Sequence, residues 1–152
     1  MTNLWKRQNF EALNIDTPKD IVEAQCTNLF DMTEGRIIAR VKEIPCSGFG
    51  KFITKRGVIE FKEGFAYEFY ITSHITLNYK YSVMKFIYNL PVYPVGIRMN
   101  FDLSDEIIID YCESQNEFVN VLADVLNSET IKTVIGSLLA IVEKEESQQS
   151  SL

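Results

Sequence analysis

FAYEFYITSHITLNYKYSVMKFIYNLPVYPVGIRMNF, residues 65–101, decides the fold. Three aromatic and β-branched runs follow one another, separated by Asn, Ser and Pro. Each alternates as a strand does: Phe65, Tyr67, Phe69 and Ile71 share one face, and Ala66, Glu68, Tyr70 and Thr72 the other. The spacing predicts strands over 65–73, 79–89 and about 93–101, with a loop through His74 to Asn78. Pro91 and Pro94 bracket the entry to the third strand, since proline cannot donate to a ladder.

Upstream, RIIARVKEI (36–44) reads as a strand. Residues 49–54 and 58–62 read as a hairpin turning at Lys55-Arg56-Gly57. Before them, Thr17 can cap a helix, Pro18 suits its first position and Asp20 its first turn. Ile21, Val22, Cys26, Leu29 and Phe30 recur at helical spacing, and Gly35 stops the helix, giving 18–33. Downstream, 106–111 (EIIIDY) reads as a short strand. The period then changes to 3.6. Ser114 and Glu117 form a capping box, and Phe118, Val121, Leu122 and Val125 line a helix ending near Leu126. Ser128 caps a last helix over about 129–144. Its apolar positions, Ile131, Val134, Ile135, Leu138, Leu139, Ile141 and Val142, predict a wide buried face. Residues 1–16 read as an arm or short helix, and 145–152 as a flexible tail.

The pattern predicts one α+β domain over 1–152. It is a curved antiparallel β-meander of six to seven strands, with one N-terminal and two C-terminal helices packed on one face. Length suits a single core. No apolar run approaches the ~20 residues of a membrane-spanning helix. The N-terminus lacks an apolar signal region, so a cytoplasmic location is expected. Cys26, Cys46 and Cys112 are odd in number and unpaired in spacing, so they read as reduced thiols.

Charge is unevenly spread. Residues 1–95 carry 12 Lys and Arg against 10 Asp and Glu, and residues 96–152 carry 3 against 11. An acidic last third disfavours nucleic acids and anionic membranes and suits a basic partner. Asp102, Asp105, Glu106 and Asp110 concentrate that charge. They read as a solvated face, a partner-binding patch or, less readily, paired carboxylates for metal or acid–base work.

Ser47-Gly48-Phe49-Gly50-Lys51 is short of a phosphate loop, because a strand pattern follows Lys51 where a helix is needed. His74 sits in a loop with no nucleophile motif beside it. Cys46, after Pro45, is the thiol best placed to react. No metal-ligand spacing is present with a single histidine, and no cofactor is expected. The tyrosines Tyr67, Tyr70, Tyr79, Tyr81, Tyr88 and Tyr93 are the unusual feature of the sheet. They read as ordinary core and strand packing, as a protein interface or, less readily, as a ligand pocket. On the face away from the core they stand beside Glu68, Lys80 and Lys85, and there Tyr70 and Tyr88 are expected to bind a partner together with the four acids, since tyrosine favours interfaces.

Two stretches carry a resemblance: Thr17-Pro18-Lys19-Asp20-Ile21 through Gln25, and EFVNVLADVLNSETIKTVIGSLLA (117–140), with YPVGI (93–97) adding to them. They resemble small bacterial immunity proteins of contact-dependent growth inhibition systems. The resemblance covers about a third of the chain, in helix-capping and core patterns. It implies a cytoplasmic, non-catalytic inhibitor that binds a toxin domain, often a nuclease. An acidic protein can mask a basic nuclease site with fast association. Two alternatives stand beside it: a small-ligand-binding domain with a pocket under the helices, and a small carboxylate-dependent enzyme.

Overall fold

The computed structural model describes residues 1–5, 10–76, 78–99 and 111–150. Ten elements follow in order: α1 (Pro18–Met32), β1 (Ile37–Glu43), β2 (Lys51–Thr54), β3 (Gly57–Glu60), β4 (Phe65–Ser73), β5 (Tyr81–Tyr88), β6 (Val95–Met99), β7 (Tyr111–Cys112), α2 (Gln115–Leu126) and α3 (Glu129–Ser150). The α+β class is as expected, with three helices and antiparallel strands. The strands divide into two sheets, however. β1-β4-β5-β6-β7 form five antiparallel strands in that order, and β2–β3 form a separate hairpin. β1 therefore pairs with β4, across the hairpin inserted between them in sequence.

Local chemistry sets the helix ends. Thr17 Oγ1 accepts from the Asp20 N–H at 3.2 Å, and Asp20 Oδ2 accepts from the Thr17 N–H at 3.1 Å, a reciprocal cap on α1. Gly35 (φ +78°) closes α1, donating to Phe30 O at 2.8 Å. On α2, Ser114 Oγ accepts from the Glu117 N–H at 3.2 Å, but the Glu117 carboxylate takes the N–H of Glu113 at 2.7 Å. It reaches one residue further back than a capping box does.

The main core lies between the helices and one sheet face. Phe69, Ile71, Met84, Phe86, Val95 and Ile97 meet Val22, Phe118, Leu122, Val125, Ile131 and Leu138 there. α3 departs from expectation twice. It runs on to Ser150, past the predicted end near 144. Its buried face is a stripe of Ile131, Leu138 and Val142, while Ile141 is 48% exposed. A helix packed on one sheet face buries only the positions pointing down, and its flanks stay in solvent. No single helix among the described residues is long and apolar enough to cross a membrane.

Leu138, at 3% exposure, belongs to that core. Leu138→Ala is expected to cost about 2–5 kcal/mol through lost burial and a residual cavity. Chemical denaturation checks this. A loss below the lower figure would mean that α3 is loosely docked.

Candidate functional site

The second face of the sheet carries the chemistry. Its residues are Arg40 and Lys42 on β1, Ala66, Glu68, Tyr70 and Thr72 on β4, Ser82, Lys85 and Ile87 on β5, and Gly96 and Arg98 on β6, as the register dictates. Half of this face is covered. The β2–β3 hairpin and the turn before it pack Phe49 and Phe52 against Ala66 and Ile87, with Phe61 and Tyr111 at the edge.

Glycine makes that docking possible. A Cβ on Gly96 would lie 2.5 Å from the Phe52 ring, so the aromatic sits directly on the β6 backbone. Arg98, two residues on, completes the clamp. Its guanidinium carbon lies 3.8 Å from the Phe52 ring centroid, its Nε donates to Phe49 O at 2.8 Å and its Nη2 to Lys51 O at 2.7 Å. Gly48 and Gly50, both at positive φ, shape the turn that leads into β2. That turn enters a strand, so the glycines serve the fold and not a phosphate.

Beside the clamp a charged row crosses four strands. Lys42 pairs with Glu68, Glu68 with Lys85, and Lys85 with Arg98, each directly opposite its neighbour. Glu68 is only 7% exposed. Lys80 Nζ donates to its Oε1 at 2.6 Å and Ser82 Oγ to its Oε2 at 3.0 Å. Lys80 also lies 5.2 Å from the Tyr70 ring centroid. Burial pushes the Glu68 carboxyl up, but the hydrogen bonds from Lys80 and Ser82 and the charges of Lys80 and Lys85 outweigh it. The carboxyl is held below its ordinary value and stays ionised. Glu68, Ser82, Lys85 and Arg98 line a cavity of about 430 Å³, walled on its other side by Pro45, Gly48 and Phe49.

The expected interface residues separate. Tyr70 is half-buried on this second face, beside Lys80. Tyr88 is not on it: it is 4% exposed in the main core, stacked on Phe65 at 5.4 Å between ring centroids, and burial pushes its hydroxyl up to about 12. The cause is regular alternation: Tyr88, Phe86 and Met84 stand opposite Phe65, Tyr67 and Phe69 on the core face. Nearer the start of β5 a bulge skips Val83, so that Tyr70 pairs with Ser82 and Ile71 with Tyr81. Tyr81 thereby joins Met84, Phe86 and Tyr88 on the helix side. Asp102, Asp105, Glu106 and Asp110, with most of the strand expected at 106–111, lie outside the described residues.

Cys46 and His74 do not meet. Cys46 donates to Gly64 O at 3.3 Å, before β4, whereas His74 follows Ser73 at the other end of that strand and is exposed. Cys26 is half-buried on α1, its thiol pushed up to about 11 by burial and then by Glu23. Among the described residues, no group of three or more His, Cys, Asp or Glu is placed to hold a metal ion. Sequence reasoning noticed Glu68, Lys80 and Lys85 but missed Ser82, Gly96 and Arg98. A usable signal was there: a lone glycine inside a strand pattern marks a close backbone approach.

Two outcomes follow from this geometry. Gly96→Ala is expected to lose about 1–3 kcal/mol, because the added methyl collides with Phe52. Combining it with Phe52→Leu should recover part of the loss in a double-mutant cycle, and strictly additive losses would mean that the contact is not the cause. For Glu68, a depressed carboxyl contributes stability in full above the unfolded value of about 4.3, and loses it as pH falls through the folded value. Glu68→Gln should therefore lower Tm at neutral pH, and the gap to wild type should narrow on acidification. A gap independent of pH would show that the ionised form adds nothing.

The chain matches no family model, no curated protein and no solved structure.

Proposed function

We propose that this chain is a non-catalytic cytoplasmic binding protein of the immunity type, which neutralises a toxin domain by covering it. The observation that supports the reading is the uncovered half of the second sheet face. Arg40, Lys42, Tyr70, Lys80 and Lys85 stand there on or beside the three neighbouring strands β1, β4 and β5. A rigid sheet surface with an aromatic residue among long charged side chains has the makeup of a protein interface. Strand pairing fixes its backbone, so the ordering cost of binding falls mainly on the long side chains.

Charge distribution adds to the reading. Residues 36–98 carry ten Lys and Arg against four Asp and Glu, although the whole chain has a formal net charge of −6. The strands are basic and the flanking segments acidic, and such a polarised protein orients a charged partner during encounter. In this proposal the acids Asp102, Asp105, Glu106 and Asp110 steer the basic region of a toxin domain, a nuclease in kind, while Tyr70 and the cations around it meet a region of that domain that lacks positive charge.

The direct test is survival. Cells expressing a toxin domain that this chain binds should grow when the chain is co-expressed and die without it. Death at equal rates, with the chain soluble, would overturn the proposal. With the purified pair, Asp105→Lys with Glu106→Lys should slow association and flatten its salt dependence, whereas Tyr70→Ala should mainly speed dissociation. An unchanged on-rate would remove the acids from the interface.

A further inference from the structure

The cavity beside the hairpin has features that a partner surface does not need. Pro45 and Phe49 form an apolar wall, and Glu68, Ser82, Lys85 and Arg98 face it from the sheet. The volume, about 430 Å³, falls in the range of small-molecule sites, and an apolar wall with a few convergent polar groups is their usual makeup.

Among the described residues its row of charges is uneven. In the row Lys42–Glu68–Lys85–Arg98, one carboxylate meets three cations, and Lys85 stands directly opposite Arg98. Like charges opposite each other in a sheet are destabilising. Glu68 is already held by Lys80, and Arg98 is engaged with the carbonyls of Phe49 and Lys51. Lys85 is exposed and forms no ion pair among the described residues. Its ammonium is the cation best placed to meet an incoming anion.

Glu68 offers the complementary half. Each carboxylate oxygen accepts one hydrogen bond, from Lys80 or from Ser82. A carboxylate has about four lone-pair sites, so capacity for a further donor remains on a group that lines the cavity. An anion receptor and a donor receptor thus stand on neighbouring strands, directly opposite each other.

We propose that this cavity binds a small organic acid bearing a hydroxyl or ammonium group beside its carboxylate. The carboxylate pairs with Lys85, the hydroxyl or ammonium donates to Glu68, and the carbon skeleton lies against Pro45 and Phe49. The site shares Lys85 with the proposed partner surface but does not rest on that reading, and either can fail without the other.

The test is a titration of the full chain, isotopically labelled, followed by amide NMR. The probes are lactate, serine and propionate, the last a carboxylate of similar size without the donor. Lactate or serine should give saturable shifts at Gly48, Ser82 and Lys85, with affinity at least about tenfold above propionate, the scale of one hydrogen bond to a charged group. Lys85→Met should abolish them, while Lys55→Met, at the hairpin turn, should leave them intact. Unchanged α2 and α3 amide shifts in Lys85→Met would show that its fold is kept. Absence of saturation for both donor-bearing probes, equal affinity for all three, or shifts that survive Lys85→Met would each overturn the proposal.

Discussion

Phe52 resting on Gly96 is the contact on which the second half of this structure depends. The five-stranded sheet has two faces, and the helices can cover only one. The other would expose Ala66 and Ile87 on its central strands. The hairpin covers them, but only because β6 has no side chain where the Phe52 ring must lie. Arg98 then closes the arrangement from above, giving its donors to two carbonyls that the hairpin turn would otherwise present to solvent. Anchoring the hairpin at one end of the face leaves the other end open. The cavity and the charged row occupy the boundary between the two.

That boundary explains why an ionised carboxylate can sit at Glu68. Complete burial would favour the neutral acid, and full exposure would leave its partners little to gain. At the edge of the hairpin, Glu68 is shielded from bulk water but reached by Lys80 and Ser82. The neighbouring lysines stay in solvent, where desolvation costs them little. The clamp and the charge row are thus linked through geometry, since the hairpin that buries Phe52 also sets how deeply Glu68 lies.

The β5 bulge has a comparable reach. Met84, Phe86 and Tyr88 alternate onto the helix side, and skipping Val83 in the register brings Tyr81 to that side too. Both ends of the strand then feed one core. The second face is left with Ser82, Lys85 and Ile87, which are smaller or charged. A regular strand would have divided these aromatics between the two faces. The bulge therefore makes the open face polar as well as the core aromatic.

The sequence by itself determined the elements and their class. Helix caps at Thr17 and Ser114, the change of period after Tyr111 and the alternation in 65–101 are local signals, written within a few residues of where they act. They place all three helices and nearly every described strand. Tertiary structure alone decided which face each side chain uses and what meets across the sheet. Tyr81 shows the first: one skipped residue put it on the face of Met84, Phe86 and Tyr88, and no periodicity reports a bulge. The row Lys42–Glu68–Lys85–Arg98 shows the second. Its members are scattered over 57 residues, and only strand register brings them opposite one another. Gly96 and Phe52 lie between these limits. The glycine signalled a close approach, but its occupant comes from a hairpin 44 residues earlier, and only packing could select it.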